Sequence, residues 1–415
     1  MKFRATFCLL ALINCIGTLC AQSLTGDWTG KLELGGGRNL KIVFHISDSP
    51  EAITMDSPDQ GAYGLNCNIV CLEGDSVSLS IPNLMMNYSG RVKNGLLTGT
   101  FQQGGIKLPL MLQPGVKKAH RPQTPVPPFP YKEENVKIDN ASENTVLAGT
   151  LTIPENHTDT TPIVVLVSGS GAQNRDEELF EHRPFAVIAD FLARNGVASL
   201  RYDDRGFGES TGDRTDATTE NYASDAKAVV NWIKDQKRFG KVGLIGHSEG
   251  GMIAYMLGAG KGILDFAISL AGPSTNGAEI LDYQNKLALM KNGLSESQAE
   301  EYAVNARKQL ENDPSMKWMQ FFLQYDPASD LQNLQIPAMI IYGGKDQQVP
   351  ASLNLDKARE YAPGAIVRCY PDLNHLMQES ETGNVDEYND IEQTISPVVL
   401  SDILNFVTSC AHPTM

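Results

Sequence analysis

Val242-Gly243-Leu244-Ile245-Gly246-His247-Ser248-Glu249-Gly250-Gly251 is the stretch that decides the fold. An apolar run of strand character enters a G-x-S-x-G pentapeptide, and residues 251–257 then read as a helix. A serine on so sharp a turn is forced into a strained backbone conformation, and glycines at 246 and 250 avoid side-chain collision with it. The pentapeptide alone is a weak signal. A strand before it and a helix after it are the context that a nucleophile elbow requires. The Ser248 hydroxyl then stands outward at the positive end of the helix. The competing reading is an ordinary structural serine, and the context favours the nucleophile.

A serine nucleophile needs a base, and in chains with this elbow the order is serine, acid, histidine. Only His375 and His412 follow Ser248. His412 lies in a terminal segment of the kind that frays, whereas His375 follows the strand-like residues 365–370. Elimination leaves His375 as the base. The acid should end the strand before it, to hold the imidazole tautomer and stabilise the imidazolium. Asp346 does so, closing Ile340-Ile341-Tyr342-Gly343-Gly344-Lys345. Asp326 and Asp330 come earlier and read as caps or solvent-facing groups. Acyl transfer also needs donors for the developing oxyanion. The expected pair is the backbone N–H of Glu249, next after the nucleophile, and that of Ser170 in Ser168-Gly169-Ser170-Gly171. The alternative for that loop is a glycine turn that only reverses the chain.

Outward from the elbow the chain divides. Residues 24–113 alternate with period two: Leu40, Ile42, Phe44 and Ile46 in one run, Val77, Leu79 and Ile81 between serines in another. Turn signals recur at Gly35-Gly36-Gly37, Gly74-Asp75, Asn94-Gly95 and Gly104-Gly105. Seven or so short strands in a small all-β barrel or sandwich are expected over residues 22–113. Residues 114–134 form a linker whose prolines stand at 114, 122, 125, 127, 128 and 130. Beyond it, over 135–415, apolar runs alternate with helical segments, as in a doubly wound, mostly parallel α/β sheet. Phe185, Ile188, Ala189 and Leu192 mark one helix, which ends at Asn195-Gly196. Residues 275–334 read as a helical cap insertion over the carboxyl ends of the strands. In it Ser295 and Gln298 form a capping box, and Pro314 starts another helix. Its Trp318, Phe321 and Phe322 are either helix-packing residues or a wall of the substrate pocket.

Net charge is −15, and no basic run exists, which argues against nucleic acid or an anionic membrane surface as partner. Residues 1–21 read as an export signal. Lys2 and Arg4 precede a short apolar stretch, and Ala21 stands at a plausible cleavage point. Periplasmic or extracellular location follows; a lipoprotein is the rival reading, and the apolar run is too short for a comfortable membrane span. Cys67, Cys71, Cys369 and Cys410 remain after cleavage, in a compartment that permits disulfides. On one extended strand Cys67 and Cys71 would be about 13 Å apart, beyond bridging reach. No Cys/His metal spacing appears, and neither metal nor cofactor is expected.

Four motifs in order carry a resemblance. They are Ser168-Gly169-Ser170-Gly171 with Gln173-Asn174-Arg175-Asp176, then Asp204-Arg205-Gly206-Phe207-Gly208-Glu209-Ser210, the elbow, and Gly344-Lys345-Asp346-Gln347-Gln348-Val349-Pro350. Over about residues 135–410 the chain resembles the α/β-hydrolase branch that holds secreted bacterial carboxylesterases, the esterase D group among them. The resemblance implies hydrolysis of carboxylic esters with short or medium acyl groups, acetyl included, in small-molecule or glycan-linked substrates. It departs from the wider fold at Ser168, where many relatives place a histidine. In the second motif Arg205, paired with Asp203 or Asp204, reads as a brace for its loop rather than a catalytic group. Two other readings stay open. One is a serine peptidase or aminopeptidase of the same fold, with Glu177, Glu178 or Glu181 orienting a peptide terminus. The other is a non-catalytic glycan-binding protein.

Overall fold

The computed structural model describes residues 24–411, apart from 36–37, 48, 50–52, 117–118 and 314. The export signal, the Gly36-Gly37 turn, the helix start at Pro314 and His412 lie outside the described residues.

The amino-terminal part is one nine-stranded sheet rather than seven strands. In chain order its strands are β1 (Gly26–Gly35), β2 (Arg38–Ile46), β3 (Thr54–Ser57), β4 (Ala62–Asn66), β5 (Asn68–Glu73), β6 (Ser76–Ile81), β7 (Met86–Lys93), β8 (Leu96–Gln103) and β9 (Ile106–Pro114). Their order across the sheet is β4-β3-β2-β1-β9-β8-β7-β6-β5, a nearly closed, barrel-like antiparallel arrangement. Asn94 and Gly95 both have positive φ, as the tight β7–β8 hairpin demands. The period-two residues Ile42, Phe44, Ile46, Val77, Leu79 and Ile81 are all buried, and Phe44 packs its ring 5.1 Å from Tyr88. The extra strands are the short β3 and β4, separated by a turn at Pro58–Gln60 that carries no hairpin dipeptide. Cys67 falls between β4 and β5, strands at opposite ends of the order, and all four described cysteines are free thiols.

The second sheet has eight strands: β10 (Tyr131–Asn140), β11 (Thr145–Pro154), β12 (Ile163–Val167), β13 (Ala198–Tyr202), β14 (Val242–His247), β15 (Phe266–Leu270), β16 (Ala338–Gly343) and β17 (Ile366–Tyr370). Its helices are α1 (Pro184–Arg194), α2 (Thr219–Gln236), α3 (Glu249–Ala259), α4 (Gly277–Lys291), α5 (Glu296–Glu311), α6 (Lys317–Gln324), α7 (Ala328–Gln332), α8 (Ala351–Tyr361) and α9 (Pro397–Ala411). The strand order is β10-β11-β13-β12-β14-β15-β16-β17, with β10, β11 and β13 antiparallel in turn and every pair from β13 to β17 parallel. Tyr131 to Glu134, placed with the linker on sequence, already pair with β11. Lys132, Glu133, Glu134 and Lys137 make β10 too polar to read as a strand, which an exposed edge tolerates.

β12 shows why these strands are apolar throughout. Val164 and Leu166 join α1 and α9 in one core, whereas Ile163, Val165 and Val167 join α2 and α3 in another. Burial on both faces leaves no polar side to alternate with. The read residues Phe185, Ile188, Ala189 and Leu192 are the buried stripe of α1, and the chain leaves it through Gly196 at φ 82°. Four helices, α4 to α7, fill the predicted insertion, and the Ser295–Gln298 capping box opens α5. The order reverses between β12 and β14, so a crevice opens at their carboxyl ends.

Candidate active site

The elbow sits at that crevice. Ser248 joins β14 to α3 with φ 52° and ψ −116°, a left-handed conformation costing roughly 1–3 kcal/mol for a residue with a Cβ. The surroundings hold it there: its N–H donates to the Leu270 carbonyl at 2.8 Å, and its carbonyl accepts from Gly251 at 2.9 Å. A Cβ on Gly246 would lie 1.9 Å from the Gly250 oxygen, and one on Gly250 would lie 2.1 Å from the Val167 oxygen. Only glycine fits at either place.

Asp346 and His375 follow β16 and β17. Oδ2 of Asp346 lies 2.7 Å from His375 Nδ1, while Oδ1 accepts the backbone N–H groups of Gln348 and Val349 at 2.7 and 2.8 Å. Both side chains are buried. Ser248 and His375 line one cavity of about 370 Å³. Among the described side chains, the serine hydroxyl makes no hydrogen bond to the imidazole within 3.5 Å. Such pairs tighten when substrate arrives.

Ser170 and Glu249, the two expected donor residues, line the same cavity. Glu249 opens α3, so its N–H has no intrahelical acceptor. In the loop after β12 the Gly169 N–H is taken by Glu177 Oε1 at 2.7 Å, which leaves Ser170 as the next donor. A Cβ on Gly169 would stand 3.1 Å from that of Ser248, so this loop lies directly against the elbow.

The Glu249 side chain was not foreseen. It is buried, and its Oε1 accepts from the Thr219 hydroxyl at 2.6 Å and from the Trp318 indole at 2.8 Å. Burial raises its carboxyl above the usual range, against hydrogen bonds from Thr219, Trp318 and Ser170. Its partners come from α2 and α6, too far away in sequence to leave a local signal. Trp318 and Phe322 stack at 5.5 Å and line the cavity with Met319. Phe321 does not line it. One residue before Phe322 is a turn of about 100° around the helix, and there its ring stacks on Tyr325 instead.

Of the three glutamates, Glu177 lines the cavity. Glu178 pairs with Arg183 at 3.0 Å, and Glu181 accepts the Ala119 N–H at 3.1 Å. Arg205 braces its loop through other partners than those expected: Asp225 at 2.7 Å and Glu143 at 3.1 Å. Asp203 is occupied by Arg175, and Asp204 by the Ser168 hydroxyl and the Gln173 amide. Among the described residues, no three His, Cys, Asp or Glu side chains converge as metal ligands would.

The family model described as X-Pro dipeptidyl-peptidase (S15 family) matches residues 143–332. Esterase EstD of Thermotoga maritima is 29% identical over 266 residues, 62% of each chain. The chain is an α/β-hydrolase by fold. It spans under two thirds of EstD's length. The bifunctional esterase/perhydrolase DCH of Acinetobacter calcoaceticus is 26% identical over 249 residues, covering 50% of this α/β-hydrolase and 89% of DCH. Among solved structures, the Pyrococcus furiosus esterase Pf2001 aligns with TM-score 0.47 and 18% identity, over 71% of this chain and 98% of its own.

Behind the cavity wall, at the lining residue Tyr388, one contact has a pH limit. His182, fully buried, sits with Nδ1 3.0 Å from the Thr394 hydroxyl and Nε2 3.0 Å from the Tyr388 carbonyl. Burial, helped by Arg121, lowers its pKa to about 4. The folded state therefore binds this proton less readily than the unfolded chain does. Stability is retained above the unfolded value, near 6.5, and is lost as pH falls toward 4, by at most about 3 kcal/mol from this group. Urea unfolding at pH 7 and pH 4.5 should show a smaller acid loss in His182→Gln than in the wild type.

Proposed function

We propose that this α/β-hydrolase is a serine esterase that cleaves carboxylic esters of short or medium acyl length. Ser248 attacks the carbonyl, His375 takes its proton and later delivers it to the leaving alcohol, and Asp346 holds the imidazole. The amides of Ser170 and Glu249 receive the oxyanion, and water then hydrolyses the acyl-enzyme. The observation that carries this reading is the left-handed Ser248, which shares one cavity with a histidine already bound to a buried aspartate. Trp318 and Phe322 would border the acyl group. The esterase relatives EstD and DCH point the same way.

A peptidase is the second reading, favoured by the S15 family match and by Glu177 in the cavity wall. p-Nitrophenyl esters of increasing acyl length, run beside aminoacyl-proline p-nitroanilides, separate the two. Ester turnover should dominate. Trp318→Ala should shift the acyl-length optimum, and Phe321→Ala should leave it in place. Faster cleavage of the anilides would reverse the assignment.

Among the described residues, no helix is long and apolar enough to cross a membrane. Export with cleavage after Ala21 is part of the proposal, and the mature protein should begin at Gln22 on amino-terminal sequencing.

A further inference from the structure

His247 precedes the candidate nucleophile in the chain and lines the same cavity, its ring centroid 4.8 Å from that of His375. Its Nε2 lies 3.0 Å from the backbone carbonyl of His375, and its Nδ1 lies 2.9 Å from Glu177 Oε1. That same Oε1 accepts the Gly169 N–H at 2.7 Å. His247 is 6% exposed and Glu177 1%, so water does not compete for these bonds. Three segments thus meet at one ion pair: the elbow, the histidine loop and the loop that offers the Ser170 amide. Glu177 itself has φ 50°, and Phe180 and Glu181 in the same loop have φ 54° and 60°. Strain of this kind persists only where the surroundings over-determine the backbone.

We infer that His247, charged and held by Glu177, is a positioning residue that sets the place of His375 against Ser248 and of the oxyanion loop against both. The inference rests on the esterase reading above. A carbonyl and a carboxylate are both acceptors, so both ring nitrogens must carry hydrogen. The ring is then an imidazolium neutralised by Glu177. Burial is the largest effect and would make it harder to protonate, but Glu177, the His375 carbonyl and Asp346 together outweigh it and raise its pKa. Losing the charge of either partner leaves the other buried and unpaired, and the histidine loop then shifts. A displacement of about 1 Å at a reacting group costs on the order of 100-fold in rate.

The test compares the full-length wild type with Glu177→Gln, His247→Gln and the double variant on p-nitrophenyl butyrate. Active sites are titrated with a phosphonate, so a misfolded fraction does not count. Each single variant should lower kcat by about 10- to 100-fold with KM little changed, and the double should be no worse than the worse single, because the pair acts as a unit. Histidine-selective ¹⁵N NMR at pH 7.5 should show both His247 nitrogens protonated in the wild type and not in Glu177→Gln. Variants that keep the wild-type kcat per titrated site, or losses that add in the double, overturn the positioning role and leave the esterase reading standing. A wild type with an intact imidazolium signal and no turnover of any ester overturns the esterase reading, and the role built on it.

Discussion

Ser248→Ala should abolish ester hydrolysis, lowering kcat by on the order of 10⁴-fold or more, while the protein stays folded. Only one oxygen is removed. The backbone bonds from Ser248 N–H to Leu270 and from Gly251 to the Ser248 carbonyl remain, and they are what hold the elbow at φ 52°. Alanine keeps the Cβ, so the strain of the left-handed conformation is the same on both sides of the comparison. The size of the loss follows from the chemistry: without Oγ no acyl-enzyme forms, and the surviving amides stabilise only a direct attack by water. A fluorophosphonate probe should label the wild type and leave the variant unlabelled, with identical far-ultraviolet circular dichroism. Labelling of the variant at another serine, with activity retained, would remove Ser248 from the mechanism.

Asp346→Asn should cost about as much, on the order of 10⁴-fold in kcat, through the wrong tautomer rather than a lost nucleophile. Oδ1 of Asp346 accepts two backbone N–H groups, from Gln348 and Val349. In the asparagine variant those donors hold the amide oxygen in the same place. The NH₂ group is thereby turned toward His375 Nδ1, where it can only donate. The proton of the imidazole must then sit on Nε2, and that nitrogen can no longer accept the serine proton. KM should change little, because Asp346 does not touch the substrate. A variant within tenfold of the wild type would mean that His375 is oriented chiefly from elsewhere.

Much of the second sheet was legible because its signals are local. The run from Val242 to Gly251 contains its own strand, turn and helix start, and the positions of Asp346 and His375 follow from strand ends. β10 was hidden because an exposed edge strand needs no apolar alternation, and β3 and β4 because they are short and lack a hairpin dipeptide. In the site, the placement of Ser170 and Glu249 beside Ser248 could be anticipated from motif spacing. The side-chain partnership of Glu249 with Thr219 and Trp318 could not, since it joins positions 30 and 69 residues away. Arg205 shows the same limit. Its neighbours in sequence are aspartates, but Arg175 and Ser168 claim them, and the guanidinium reaches Asp225 and Glu143 instead. The helical reading of residues 275–334 does not say which face of α6 turns inward, and so Phe321 stands with Trp318 and Phe322 among the expected pocket residues.

The parallel pairing of β12 with β14, Val167 beside Gly246, has a consequence for descent. The loop that carries Ser170 leaves one of these strands and Ser248 leaves the other. Their separation is therefore inherited from a ladder spacing of about 4.8 Å that every sheet shares. The residues that would judge a substrate by size come instead from α6, in an insertion between β15 and β16. A lineage can lengthen, trim or exchange that insertion without resetting the distance over which the bond is broken. On the proposed reading, reactivity and taste are carried on separate pieces of the chain, and selection can revise the second while leaving the first untouched.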